Sequence, residues 1–135
     1  MQPERFELFV NGTLMQELAL HANLAGATFL GCCATAARYR LYSINDIHPG
    51  MFCLEAGESN GISVSGELYL IAHEHWLKVE AAEPPNLYRG RVVLEDGREV
   101  WGILYPRALA EKYGQDISEF SDWRRYMNSK QERKK

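Results

Sequence analysis

The chain has 135 residues, which fits one domain, and its 46% hydrophobic and 24% charged residues are ordinary values for a soluble globular protein. The net charge of −3 combines a basic tail at residues 124–135 with an acidic remainder, which opposes a nucleic-acid surface. The sequence has no apolar run near the roughly 18 residues of a membrane span and no signal-peptide layout. We therefore expect a cytoplasmic protein without a membrane or nucleic-acid partner.

Hydrophobic periodicity and turn residues predict the elements of the first half of the chain. A strand at residues 6–10 runs through Asn11-Gly12-Thr13 into a short helix at 16–24. Further strands are predicted at 27–30, 38–44 and 51–55, with a turn at His48-Pro49-Gly50.

The second half alternates strands and helices. A long strand is predicted at 62–71, with Gly66 as a bulge or bend, and a helix at 73–82 that Pro84-Pro85 ends. Strands at 88–94 and 100–105 form a hairpin around Asp96-Gly97, and a short helix and a longer one at about 116–130 follow Pro106. The whole predicts a single α+β domain over 1–135, with a curved or closed sheet at about 6–106 and a helical extension from 107.

Three cysteines, Cys32, Cys33 and Cys53, are an odd number without CxxC spacing. Disulfide and metal roles are therefore disfavoured, and buried small side chains are expected. The segment His73-Glu74-His75 has no evident third ligand, so we expect no metal and no cofactor. His21 and His48 flank turns or helix ends, and the sequence leaves open whether they line a pocket.

Two local features carry candidate chemistry. The loop after the first strand, residues 11–14, can present backbone N–H groups to an anion, or Gly12 can simply form a left-handed turn. At the end of the 73–82 helix, Glu80 and Glu83 oppose the helix dipole beside apolar residues, which raises a carboxyl pKa toward that of a general base. The alternative is that both are solvated helix-end residues.

An ordered series of short motifs resembles the γ-glutamylcyclotransferase-like (AIG2-like) family. The series spans about residues 6–106 and comprises Asn11-Gly12-Thr13-Leu14, Gly26-Ala27-Thr28-Phe29-Leu30-Gly31, Arg38-Tyr39-Arg40-Leu41-Tyr42, Pro49-Gly50, Gly66-Glu67-Leu68-Tyr69, Val79-Glu80-Ala81-Ala82-Glu83 and Leu87-Tyr88-Arg89. The resemblance implies a small mixed β-barrel with flanking helices and a pocket above the 11–14 loop.

In cyclotransferases of this family, the α-amine of a γ-glutamyl amide attacks the γ-carbonyl, and a carboxylate moves the proton. The resemblance places that carboxylate at Glu83, with Glu80 as the fallback. It implies that the N–H groups of Gly12, Thr13 and Leu14 hold the substrate carboxylate. The remaining expected pocket residues are Asn11, His21, Arg38, Tyr39 and Tyr88.

Two departures from the family pattern open a second interpretation. Asn11 stands where the family has tyrosine, and Pro84 stands where it has glycine. The stretch from Val10 to Leu24 looks more like the C-terminal domain of allophanate hydrolases, which is linked to handling the carboxylated carbamate product of an amidase half. We therefore expect a small-molecule substrate and a cyclotransferase-like enzyme that acts on a small carboxylate-bearing amide, by intramolecular amine attack with a Glu general base. The alternatives are, first, a non-catalytic binding module and, second, a domain that handles allophanate or N-carboxycarbamate. An amidase partner goes with the second of these.

Overall fold

The computed structural model, which describes residues 4–16, 18 and 20–133, has the expected mixed α+β class. The strands within these ranges are β1 Arg5–Val10, β2 Thr28–Ala34, β3 Tyr39–Ile44, β4 His48–Cys53, β5 Ser65–Ala72, β6 Tyr88–Val93, β7 Glu99–Leu104 and β8 Gln115–Asp116. The α-helices are α1 His73–Ala82, α2 Arg107–Tyr113 and α3 Trp123–Arg133, and short 3-10 helices span His21–Leu24 and Ser118–Phe120.

The larger sheet has the strand order β2-β5-β1-β7-β6, so β1 lies at its centre. β1 pairs antiparallel with β5 and parallel with β7. Its last three residues, Leu8, Phe9 and Val10, have no exposed surface. A continuous apolar run is typical of a strand that is covered on both faces. The loop that follows β1 therefore begins at a fully buried strand end.

The larger sheet curves until its two edge strands meet at one end. Thr35, just after β2, bridges Leu94, just after β6. The Ala36 N–H donates to the Val93 carbonyl over 2.9 Å, and the Glu95 N–H donates to the Ala34 carbonyl over 3.1 Å. Within the described ranges β2 and β6 do not pair along their length, so the bridge joins the edges at this end only.

A smaller sheet with the order β4-β3-β8 approaches the end of β7. The Tyr105 N–H, directly after β7, donates to the Met51 carbonyl of β4 over 2.9 Å. The start of β4 lies beside the loop that leaves β1, because Gly12 of the loop approaches Pro49 closely. The two sheets therefore meet where the candidate site lies.

Several predicted elements are confirmed, and the differences have local causes. Helix α1 has the predicted bounds, and β6 and β7 form the predicted hairpin. The predicted helix at 16–24 is wrong: only His21–Leu24 is helical, as a 3-10 turn. Tertiary contacts hold this segment, because the Gln16 N–H donates to the Glu67 carboxylate over 2.9 Å. Glu17 and Ala19, also in that prediction, lie outside the described residues.

The predicted turn at residues 48–50 is also wrong, because His48 begins β4. The chain turns at Asn45 and Asp46 instead, whose φ angles of 55° and 58° are left-handed. Asn and Asp tolerate this conformation better than other side chains that carry a Cβ.

The strand bulge and the start of the C-terminal helix also differ from their predicted positions. The bulge is on β2, between Phe29 and Gly31, and not at Gly66 on β5. Gly66 is required for space, since a Cβ there would lie 2.4 Å from the Val10 carbonyl oxygen. The long C-terminal helix begins at Trp123, because Ser121 before it has a left-handed φ of 54°.

The cysteines differ from the prediction of burial. Cys32 and Cys53 are exposed and Cys33 is half-buried, and all three are free thiols. Cys32 lies on β2, which is an edge strand and is therefore open on one side. No helix among the described residues is long and apolar enough to cross a membrane.

Candidate functional site

The loop after β1 presents three consecutive backbone N–H groups. It is closed by two hydrogen bonds, from the Met15 N–H to the Gly12 carbonyl at 3.0 Å and from the Leu20 N–H to the Thr13 carbonyl at 2.8 Å. Among the acceptors of residues 4–16, 18 and 20–133, none takes the N–H of Gly12, Thr13 or Leu14. Neighbouring N–H groups without acceptors in a turn can bind an anion.

Gly12 is required by a close approach and not by its backbone conformation. Its φ is not among the positive angles of the chain, so the left-handed-turn interpretation is wrong. A Cβ at this position would lie 2.7 Å from both Cγ and Cδ of Pro49, the second residue of β4. The loop therefore packs its backbone directly against β4.

Glu83 lies immediately after α1, where the chain leaves the helix. Its N–H still bonds to the Glu80 carbonyl over 3.2 Å, but its own backbone is extended, with φ −73° and ψ 149°. Pro84 is the physical cause, because a residue that precedes proline is displaced from the helical region. The helix end thus turns Glu83 out of the helical path, while Glu80 stays on an exposed face.

Glu83 is half-buried, and one oxygen of its carboxyl is buried without a partner among the described residues. Its Oε1 is inaccessible and forms no hydrogen bond within the described part of the chain. Burial raises the pKa of this carboxyl from 4.5 to about 7, because the apolar surroundings disfavour the charged form. Near neutral pH, such a group can both accept and donate a proton.

The loop and Glu83 face one narrow cavity, whose volume is about 20 Å³. A cavity of this size holds about one water molecule. The cavity lining consists of Val10, Asn11, Gly12, Thr13, Leu14, His48, Pro49, Glu83, Leu87 and Ile103. The expected residues Asn11, Gly12, Thr13, Leu14 and Glu83 are therefore together in the structure. Asn11 is buried, and its Nδ2 lies 3.5 Å from Met51 Sδ.

The other expected pocket residues lie elsewhere. His21 is behind the loop, where its Nδ1 lies 3.0 Å from the Leu14 carbonyl and must donate to it. Tyr39 is a core residue whose hydroxyl accepts from the Val93 N–H over 2.9 Å. Arg38 and Tyr88 are exposed and do not line the cavity. A role for these four residues in direct ligand contact stays a prediction that their positions do not support.

His48, which the sequence left open as a pocket residue, lines the cavity, together with Pro49, Leu87 and Ile103, which the sequence did not single out as its walls. His48 and Pro49 come from β4 and Ile103 from β7, so only the meeting of the two sheets brings them to Glu83. Leu87 is the exception, because it lies close after Glu83 in the sequence. The apolar side chain at that position was the available signal.

One of the two histidines of α1 makes a structural contact. His75 Nε2 lies 2.8 Å from the Asn23 carbonyl, where the helix packs on the 3-10 turn. Within the described ranges, no three His, Cys, Asp or Glu side chains are grouped as metal ligands.

The sequence model of one protein family, the allophanate hydrolase C-terminal domain, matches residues 6–128 of the chain. The chain belongs to this family. The match includes both sides of the cavity, the 11–14 loop and Glu83.

Solved structures with this fold come from bacteria, yeast and mammals. A uropathogenic E. coli-specific protein is 37% identical, with a TM-score of 0.85, over 93% of this chain and 97% of that one. The Kluyveromyces lactis urea amidolyase is 25% identical, with a TM-score of 0.85, over 93% of this chain. An AIG2-like protein from Mus musculus is 20% identical, with a TM-score of 0.63, over 82% of each chain, and supports the fold alone.

The domain is similar to only a small part of some of these proteins. It covers 8% of the urea amidolyase chain, so the domain occurs there within a much larger protein. No curated protein matches the sequence significantly.

Proposed function

We propose that the domain binds a small carboxylate-bearing carbamate or amide in the Glu83 cavity and that Glu83 exchanges a proton with it. One cavity is lined both by Glu83, whose buried Oε1 has no partner among the described residues, and by the 11–14 loop, where three N–H groups have no acceptor among the same residues. This combination carries the proposal. The loop suits a ligand carboxylate, and Glu83 suits proton transfer beside it.

N-carboxycarbamate is the substrate that this arrangement and the family favour. In its decarboxylation, the bond between nitrogen and one carboxylate carbon breaks, carbon dioxide leaves, and the electron pair stays on nitrogen. Protonated Glu83 gives its proton to that nitrogen, so the products are carbamate, carbon dioxide and ionised Glu83. Solvent then returns the proton to Glu83. A carboxyl with a pKa of about 7 holds enough proton near neutral pH to act in this way.

The dimensions of the cavity also favour a short, flat acid. Any ligand larger than water must move the lining side chains apart, because the volume is about 20 Å³. N-carboxycarbamate needs less movement than a γ-glutamyl amine, whose chain must also fold back on itself. Asn11, in place of the family tyrosine, lies in the same lining. Cyclotransfer is the second candidate, since it too uses one carboxyl as base and then acid.

The proposal implies a supply reaction. Hydrolysis of the terminal amide of allophanate releases ammonia and leaves N-carboxycarbamate, so an amidase is the partner that would supply the substrate. The occurrence of this fold within a urea amidolyase supports such a context.

The test uses allophanate with a separate amidase, so that N-carboxycarbamate forms in the NMR sample. Carbon-13 NMR follows its decay with the wild-type domain, with Glu83→Gln and with the matched helix-end control Glu80→Gln. We expect the wild type and Glu80→Gln to accelerate the decay, and Glu83→Gln to lose ~10²-fold or more of the acceleration. A parallel screen of γ-glutamyl amines for 5-oxoproline release tests cyclotransfer.

Three results separate the alternatives. Equal acceleration by the wild type and Glu83→Gln contradicts the role of Glu83. Release of 5-oxoproline alone assigns the domain to cyclotransfer. Ligand binding without acceleration of either reaction identifies a non-catalytic module.

A further inference from the structure

His48 is a buried polar residue of the cavity wall. Only 6% of it is exposed, and it begins β4 beside Pro49, the residue on which the loop glycine packs. Its ring lies 5.7 Å from that of Tyr105, at a tilt of 54°. The ring is thus fixed by packing while it lines the same cavity as Glu83.

One hydrogen bond determines which ring nitrogen carries the proton. His48 Nδ1 lies 2.9 Å from the Pro49 carbonyl oxygen. A carbonyl oxygen only accepts, so Nδ1 must be the donor. In the neutral ring, Nε2 is then the nitrogen with the free lone pair. No donor to Nε2 exists in residues 4–16, 18 and 20–133.

We propose that His48 contacts the substrate and selects it, with Nε2 accepting a hydrogen bond from a substrate N–H. The inference rests on the proposed function, because the loop N–H groups take the ligand carboxylate and Glu83 serves the reacting nitrogen. The ligand class is thereby narrowed to a small carboxylate that also carries an N–H, as in N-carboxycarbamate, a carbamate or a primary amide.

The selection has a physical basis: a ligand that leaves the His48 Nε2 acceptor without a hydrogen bond binds more weakly. A buried polar group that loses water and gains no partner destabilises the complex, whereas a donor that fits restores the bond. A site built to pair with an N–H therefore rejects an analogue that lacks it. An apolar side chain at position 48 would abolish this difference.

Malonamate and acetoacetate form a matched pair of probes. Both have a carboxylate, a methylene and a carbonyl, but malonamate ends in an amide NH₂ where acetoacetate ends in a methyl group. By calorimetry we expect the wild type to bind malonamate about 10-fold more tightly than acetoacetate. His48→Leu should bind both equally, and His48→Gln, which keeps an acceptor, should retain part of the preference.

A second measurement needs no variant. The nitrogen-15 resonance of His48 Nε2 should shift when malonamate binds and stay in place with acetoacetate. This readout remains decisive if His48→Leu does not fold.

The outcomes also separate this inference from the proposed function. Tight malonamate binding that depends on Glu83, with a preference unchanged in His48→Leu or absent in the wild type, overturns the role of His48 alone. An Nε2 resonance that malonamate leaves unmoved does the same. Failure of both probes to bind overturns the ligand class and the inference together.

Discussion

Glu83 is destabilising when it is ionised, and this gives the folded state a definite pH dependence. The pKa of its carboxyl is about 7 in the fold, against 4.5 for an unperturbed glutamate, so the folded state holds the proton more strongly than the unfolded chain does. Stability from this group is full below pH 4.5 and is lost as the pH rises through 7.

We therefore predict that Glu83→Gln is more stable than the wild type at pH 8, by about 1 to 3 kcal/mol, with little difference at about pH 4.5. Urea unfolding at the two pH values measures this. Glu80→Gln, on the exposed face of the same helix, is the control and should show no such change. Equal stability of Glu83→Gln and the wild type at the higher pH would mean that the carboxyl is not desolvated.

Gly12 sets the distance between the loop and β4. A methyl group there would lie 2.7 Å from the Pro49 ring, so Gly12→Ala must push the loop away. We expect the variant to fold but to bind malonate, a stable analogue of N-carboxycarbamate, at least ~10-fold more weakly, as measured by calorimetry.

The double variant Gly12→Ala/Pro49→Ala supplies the control. It removes the Cγ and Cδ atoms that the new methyl group meets, and should therefore restore part of the affinity. If the single variant binds malonate as the wild type does, the loop backbone is not the anion site.

At the scale of elements, Asp46 ties the C-terminal helix to the β3–β4 turn. Its carboxylate accepts from Ser43 Oγ and from the Tyr126 hydroxyl, each over 2.6 Å, and it pairs with Lys130. These bonds, with Lys130 the largest contributor, lower the pKa of Asp46 to about 2. Because the folded pKa is depressed below 3.8, the stabilisation is present above that value and is lost as the pH falls toward 2.

Asp46→Asn should therefore lower the free energy of unfolding at neutral pH by about 1 kcal/mol, a value that allows for solvent screening at this partly exposed site. At about pH 2 the variant and the wild type should converge. Denaturant unfolding monitored by circular dichroism measures both values, with Glu119→Gln as an exposed-carboxylate control. An equal loss at both pH values would point to a packing effect.

Local chemistry made some elements predictable and left others out of reach. The end of helix α1 just before Glu83 was predictable from the Pro84-Pro85 pair. The β6–β7 hairpin was predictable from Asp96-Gly97. The segment after the loop was misassigned because its Gln16 N–H is satisfied by the distant Glu67 carboxylate. The β3–β4 turn was misplaced because His-Pro-Gly is a strong local turn signal, whereas β4 includes it through pairing with β3.

The site divides in the same way. The loop residues follow β1 and Glu83 follows α1, so both lie at the end of a regular element. The 11–14 motif and Pro84 therefore made their positions predictable. His48 and Ile103 reach the cavity only through the packing of one sheet on the other, which no local pattern records.

At the scale of the whole molecule, the curved sheet positions the cavity. β1 is held between β5 and β7, and the Tyr105 N–H fixes β4 beside the end of β7. The loop, β4 and the end of α1 therefore converge from separate parts of the chain. The family match over residues 6–128 covers all three.

The central claim is that Glu83 holds its proton to near neutral pH in a cavity that binds a small carboxylate. Carbon-13 NMR of the glutamate δ carbons, titrated with and without malonate, tests it most directly. One resonance, absent in Glu83→Gln, should titrate near pH 7 and should shift when malonate is added. The claim is contradicted if every glutamate titrates below about pH 5, or if malonate leaves the Glu83 resonance unchanged.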